Sequence, residues 1–284
     1  MKQFSLLVIL LVLLLAGCES DVTKNEINGA TLEMVLVNGG TFDMGNTFGE
    51  GNDNEYPVHS VNLSSFYISN LEVTQKQYKD LMGALPGSGY GIGDDFPVFQ
   101  VPWDKALEFC NLLSIQEGFT PCYNMADSTC NWSANGYRLP TEAEWEFAAK
   151  AGGIDQEFPF SGCENVEDAA WYRANSDNQT HIVGTKQPNS LGLYDMSGNV
   201  YEWCWDFYDE DYYGNSAGVN PTGPEEGLFH MGRGGCWYSE ECSCCCTNRP
   251  VSQSIGSRYI GFRVVRNTAG VRPWNLFLDD FELK

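Results

Sequence analysis

The sequence predicts an α+β fold rich in loops, on three observations. Short stretches that alternate apolar and polar residues fill its first quarter. Segments with apolar residues at three- and four-residue steps follow. After residue 152 the chain turns to long runs of Asn, Asp, Gly and aromatic residues with only brief strand-like pieces. Thirty glycines and an aromatic content of 13% agree with ordered loops more than with helical bundles.

The chain of 284 residues opens MKQFSLLVILLVLLLAGCES, with one early lysine, an apolar run too short to span a bilayer comfortably and a small-residue approach to Cys18. This is the pattern of a secretory signal, and LAGC resembles a bacterial lipobox, so residues 1–17 are expected to be removed and Cys18 to carry lipid. The polar, aperiodic stretch 18–30 reads as a tether. Within 31–266, read as one domain, LEMVLVNGGTFDMG reads as a hairpin about Gly39 and Gly40, and VHSVNLSSFYISNLEVT alternates likewise. VTQKQYKDLMGAL and PWDKALEFCNLLSIQEG read as amphipathic helices, the second announced by Asp104 after Pro102. RLPTEAEWEFAAKAGG adds a capping box, Thr141 with Glu144, and a stop at Gly152. HIVGT and GFRVVR read as short strands, and 267–284 as a C-terminal extension.

Sixteen Lys and Arg against thirty-eight Asp and Glu give a net charge of -22, which would repel a phosphate backbone and excludes nucleic acid as a partner. Outside the cytoplasm disulfides are permitted. Yet in CWYSEECSCCCTNRP (236–250) five cysteines fall within eleven residues, three of them adjacent. Cys242 and Cys245 have a zinc-ligand separation but lack a second pair, and three adjacent thiols cannot all reach disulfide partners.

Seven phrases in order, MVLVNGGTFDMG, FYISNLEVTQKQY, VPWDKALEFC, GYRLPTEAEWEFAAKAGG, NSLGLYDMSGNVYEWCWD, GRGGCWY and IGFRVVR, resemble the formylglycine-generating-enzyme (sulfatase-modifying-factor) family. The resemblance implies a C-type-lectin-like topology. It also implies, for the enzymes, two cysteines that bind copper(I) and activate oxygen to oxidise the thiol of a sulfatase-type Cys-X-Pro-X-Arg peptide, since a soft cation wants paired thiolates. Those two positions fall on Ser239 and Cys244. A hydroxyl is a poor ligand for copper(I), so no copper is expected; Cys244 is the catalytic candidate only in the enzyme reading, with Cys242, Cys245 or Cys246 as a substitute partner. The family's structural calcium, a hard cation that takes oxygen ligands, would be held here by Asp195, the Gly198 and Val200 carbonyls and Glu202. A second family site would begin at Asn175 and the Ser176 carbonyl, where the following loop is shorter in this chain.

Within that family the chain most resembles the variable lipoproteins of diversity-generating retroelements, whose 3' coding segment is rewritten by adenine-directed mutagenesis. Randomised asparagine codons can yield Cys, Ser, Tyr, Thr or Asn but never Trp, Glu, Gln, Lys or Met. On that reading 236–262 is the variable region, and Trp237, Glu240, Glu241 and Gln253 are fixed scaffold. The expected ligand-binding residues are Trp237, Tyr238, Ser239, Cys242, Ser243, Cys244, Cys245, Cys246, Thr247 and Asn248, with Ser252, Ser254, Ser257 and Tyr259 outside them. Ser239 and Cys242 to Asn248 are expected to be exposed, and Trp205, Phe207, Tyr208, Tyr212 and Tyr213 to form a neighbouring wall. The expected role is a lipid-anchored binder in the bacterial envelope, facing an extracellular protein or surface ligand. A formylglycine-generating oxidase, or a non-variable lipoprotein accessory factor, is the alternative.

Overall fold

The computed structural model describes residues 22–27, 30–49, 51–250 and 257–268. Its elements run β1 (Val22–Ile27), β2 (Ala30–Val37), β3 (Gly40–Met44), β4 (His59–Leu63), β5 (Phe66–Ser69), α1 (Gln75–Met82) and α2 (Trp103–Gln116). There follow β6 (Tyr123–Asn124), β7 (Thr129–Cys130), β8 (Tyr137–Arg138), α3 (Glu142–Ala149), α4 (Val166–Ala169), β9 (Tyr201–Phe207), β10 (His230–Arg233), β11 (Ile260–Gly261) and β12 (Val265–Asn267). The principal sheet has the order β1-β2-β5-β12-β8, so a strand from the end of the described chain lies between two from its first half. A second sheet, β10-β9-β11, carries the segment that holds the site; β11 joins β9 in parallel and β10 joins it antiparallel.

All three expected helices form, as α1, α2 and α3. Thr74 Oγ1 accepts the Gln77 amide while the Gln77 side chain accepts the Thr74 amide, and α1 ends on Gly83 at φ 86°. At α3 the same reciprocal pair joins Thr141 and Glu144, and Arg138 clamps the Glu144 carboxylate with bonds of 2.6 and 2.7 Å. One apolar core gathers α1, α2 and Phe262 around Tyr78, Phe109 and Leu113. Another surrounds Trp145 of α3, with Phe42, Val61, Phe66 and Met196.

Three expectations are corrected. β2 and β3 do not pair as a hairpin: β2 is flanked by β1 and β5, and β3 pairs with β4. A Cβ on Gly39 would stand 2.4 Å from the Leu63 carbonyl oxygen, so the Gly-Gly step is a close crossing between sheets, not a hairpin turn. Within the stretch expected to be a tether, 22–27 instead adds an edge strand to β2 in full register. HIVGT is a loop in which the His181 ring stacks on Trp171 at 3.7 Å. Among the described residues no helix is long and apolar enough to cross a membrane; the predicted signal segment, Cys18 and the predicted extension beyond 268 lie outside them.

Candidate functional site

The site is built from β10 outward. Arg233, at the end of that strand, is fully buried, and its guanidinium donates to the Cys246, Thr247 and Asn248 carbonyls at 2.9, 2.9 and 2.5 Å. Its charge is met by Glu146 of α3 at 2.5 Å, which also pairs with Lys150. Next along the chain, Arg249 takes both oxygens of Glu142 at 2.7 and 3.1 Å and donates to the Asn54 carbonyl. Buried charges are tolerable only when paired in this way. Between these two anchors the loop makes further main-chain contacts: Trp237 N to Asn199 O, Arg173 N to Ser239 O, Cys246 N to Pro159 O, and Ser176 Oγ to Trp237 O. Gly235, at φ 80°, lets the chain pass Cys244, whose sulfur would lie 2.7 Å from an added Cβ.

The exposure expected along this segment needs correction. Cys244, Cys246 and Thr247 are fully buried, and Ser239 and Asn248 are also buried, whereas Trp237, expected as fixed scaffold, is 2% exposed. Their backbone is the part held by the scaffold, so their side chains turn into the packed interior. Cys244 packs among Phe160, Cys163, Val166 and Ala170, whereas Cys246 joins the core around Trp145. Tyr238 and Cys242 are exposed and Ser243, Cys245, Ser257 and Tyr259 half-buried; Ser252, Ser254 and Gln253 lie outside the described residues. Glu240 and Glu241, expected as scaffold, are exposed, and Glu240 pairs at the surface with Arg173.

What reaches solvent is an aromatic surface over a buried indole. Tyr90 stacks on Trp237 with centroids 5.1 Å apart, Tyr259 lies 5.2 Å from Trp237, and Tyr238 stacks on Tyr259 at 5.7 Å. Arg258 lies over both Tyr90 and Tyr259, and Arg173 over Tyr238. Tyr90, Arg173 and Arg258 were not among the expected residues. Tyr90 lies far from the loop in sequence, in a glycine-rich stretch without periodicity, and no local signal marks it.

The wall expected from β9 and the residues after it divides. Tyr208 borders the loop, in a cleft of about 470 Å³ with Asn52, Asn54, Ser243 and Asn248. Tyr213 is buried against Glu142 and Glu146, Tyr212 packs beside the Trp145 core, and Trp205 and Phe207 line a different cavity.

The residues at the two copper positions do not fit that ion, and of the calcium set only Asp195 keeps an oxygen without a partner. Ser239 Oγ accepts the Cys236 amide at 3.0 Å and donates to Tyr201 Oη at 3.0 Å, and burial pushes the pKa of the Cys244 thiol well above its ordinary value. A hydroxyl committed to hydrogen bonds and a protonated thiol are not a copper(I) pair. Of the calcium set, Glu202 gives both oxygens to Arg263 at 2.6 Å and one also to Trp145 Nε1 at 2.7 Å. A guanidinium thus already meets this one carboxylate. Asp195 accepts the Gly184 amide through one oxygen; the other is buried without a partner, and burial raises this carboxyl to about 6. Asn175 of the second set caps its own turn, accepting the Tyr172 amide, and the Ser176 carbonyl meets the His181 ring.

A family model described as the sulfatase-modifying factor enzyme 1-like domain matches residues 19–268. The chain is 36% identical over 267 residues to the chaperone protein LppX of Paenibacillus barcinonensis, covering 82% of this chain and 88% of that protein. It is 28% identical over 260 residues to the formylglycine-generating enzyme of Streptomyces coelicolor, covering 76% and 82%. Among solved structures, variable protein 1 of Treponema denticola superposes with a TM-score of 0.78 at 31% identity, covering 87% of this chain and 99% of that one.

Proposed function

The chain belongs to the sulfatase-modifying factor enzyme 1-like family and has the α+β, C-type-lectin-like fold of the formylglycine-generating-enzyme type, and from that premise we propose that it is a lipid-anchored envelope protein that binds ligands through a variable loop surface. The observation that carries this reading is the way the scaffold holds 246–249. Arg233 donates to the carbonyls of Cys246, Thr247 and Asn248 and to none of their side chains. Side chains that reach solvent from the part of the loop before this held segment, those of Tyr238 and Cys242, can change without loosening it.

The recognition surface is Tyr238, Tyr259 and Tyr90 on the Trp237 base, with Cys242, Ser243, Cys245 and Ser257 as half-open or open positions at the same loops. Tyrosine contributes broad contact area at low entropic cost, and small residues beside it adapt. Cys244, Cys246 and Thr247 act as packing residues in this scheme. The likeness to the Treponema denticola variable protein supports the reading; the likeness to a formylglycine-generating enzyme supplies the competing one, an oxidase of a substrate cysteine.

One experiment separates them. The purified protein is incubated with copper(I), oxygen and a Cys-X-Pro-X-Arg peptide, and the peptide is examined by mass spectrometry. The binder produces no formylglycine, and joint replacement of Tyr238, Cys242, Ser243 and Ser257 by other small or aromatic residues leaves its melting temperature nearly unchanged, as exposed substitutions do. Formylglycine formation that disappears in Cys244→Ser would establish the oxidase instead. A near-copy of the 3' coding segment beside a reverse-transcriptase gene is the matching genomic observation.

A further inference from the structure

The second cavity, of about 630 Å³, shares no residue with the variable surface. Its floor comes from β9, β10 and the start of α2: Trp205 and Phe207, His230, and Trp103. The Trp103 and His230 rings stack at 3.5 Å with 8° between their planes, Phe207 covers the other side of His230 at 4.2 Å, and Trp103 meets Trp205 at 5.5 Å. Its rim is acidic, with Asp127 at the turn between β6 and β7 and Glu225 with Glu226 on the loop before β10. Asp127 is committed to Asn124 and Thr129. Glu225 and Glu226 are exposed and, among the described residues, have no hydrogen-bond or ion-pair partner.

Two features set the charge this cavity prefers. Indole faces present negative potential to a cation near their centroids, and carboxylates at the mouth add to it. The ring that could oppose a cation is kept neutral: burial lowers His230 to about 4, and its Nδ1 sits 3.0 Å from the Trp205 carbonyl oxygen, so that nitrogen carries the proton and Nε2 a lone pair. The volume falls within the range of small-molecule sites, ~300–1,000 Å³.

We propose that this cavity binds a small organic cation of the methylated-ammonium class, its methyl groups against Trp103, Trp205 and Phe207 and its charge facing Glu225 and Glu226. A quaternary ammonium suits the site because it has no N–H to satisfy and the floor offers aromatic faces in place of a ring of acceptors. An anion is disfavoured by the same rim, and an uncharged ligand gains nothing from it.

The test uses the complete mature protein, with choline as the probe and 3,3-dimethylbutan-1-ol as its uncharged isostere, read by calorimetry and tryptophan emission. Choline is expected to bind saturably, more weakly as salt is raised, and the isostere at least about tenfold less tightly. The double variant E225Q/E226Q, both positions exposed and free of structural bonds, should keep the melting temperature and lose choline affinity about fivefold to tenfold. Trp205→Phe should weaken binding further while keeping an aromatic floor. Equal binding of the isostere, unchanged affinity in the double variant, no choline binding into the tens of millimolar, or tighter binding of lysine amide than of choline would each overturn the assignment. None of these outcomes depends on the variable loop surface, so the failure of that reading and of this one are distinguishable.

Discussion

Trp237 and Tyr238 are neighbours in sequence with opposite duties. The indole is buried with Phe99 and Val200 and supports Tyr90 and Tyr259, so Trp237→Ala should cost about 3 kcal/mol or more in urea unfolding. Tyr238→Ala should change stability by less than about 0.5 kcal/mol and act on ligand binding alone. The cysteines divide the same way. In native protein a maleimide should label Cys242 quickly and Cys244, Cys246, Cys110 and Cys204 only after unfolding, as mass spectrometry of digests would show. At the calcium positions, Arg263 already neutralises Glu202, so EDTA should leave the melting temperature unchanged. A drop in EDTA that Asp195→Asn abolishes would return a calcium ion to that turn. His230 gives a pH dependence. Its ionisation lies near 4 in the fold and near 6.5 in the unfolded chain, so its contribution is complete above 6.5 and declines as pH falls toward 4. The loss should be about 2 kcal/mol, somewhat below the full value of the shift because the ring is partly open to solvent. Unfolding curves at pH 7 and 4.5 for the protein and His230→Gln should show a smaller difference in the variant.

At the scale of elements, what the sequence made legible was local. Helices α1 and α3 were readable because their caps and periodicity lie within a single turn of each other. The β2–β3 hairpin was misread because alternation says which face a strand buries but not which strand it meets, and the crossing at Gly39 is fixed by the distant Leu63 carbonyl. The loop proposed to vary illustrates the same limit. Its chemistry was visible in the residues, but which side chains face outward depends on an arginine in β10 that takes hold of its backbone and is itself held by a glutamate in α3. Arg233→Lys keeps the charge but loses the planar fork. It should destabilise the protein by about 2 kcal/mol or more, leaving buried carbonyls without donors, and should hasten amide exchange around 246–249. Replacing Cys242 and Ser243 should do neither.

At the scale of the whole molecule, the order β1-β2-β5-β12-β8 ties both ends of the described chain into one sheet, so the segment proposed to vary is followed by a strand that the long-range fold fixes. Family phrases spread through the sequence made this fold recognisable, although its long-range pairings could not be derived from periodicity. The proposed anchor is tested by Cys18→Ala, which should release the protein from membranes or leave its signal segment uncleaved. Edge strand β1 changes what such an anchor would mean mechanically. From Cys18 to Val22 there are four peptide steps, a leash of at most ~14 Å. A domain so anchored could not sweep the surrounding space as one on a long stalk does; it would stand almost against the bilayer, so membrane-bound partners presented at that height would be met at high local concentration, while tall ones would pass over it.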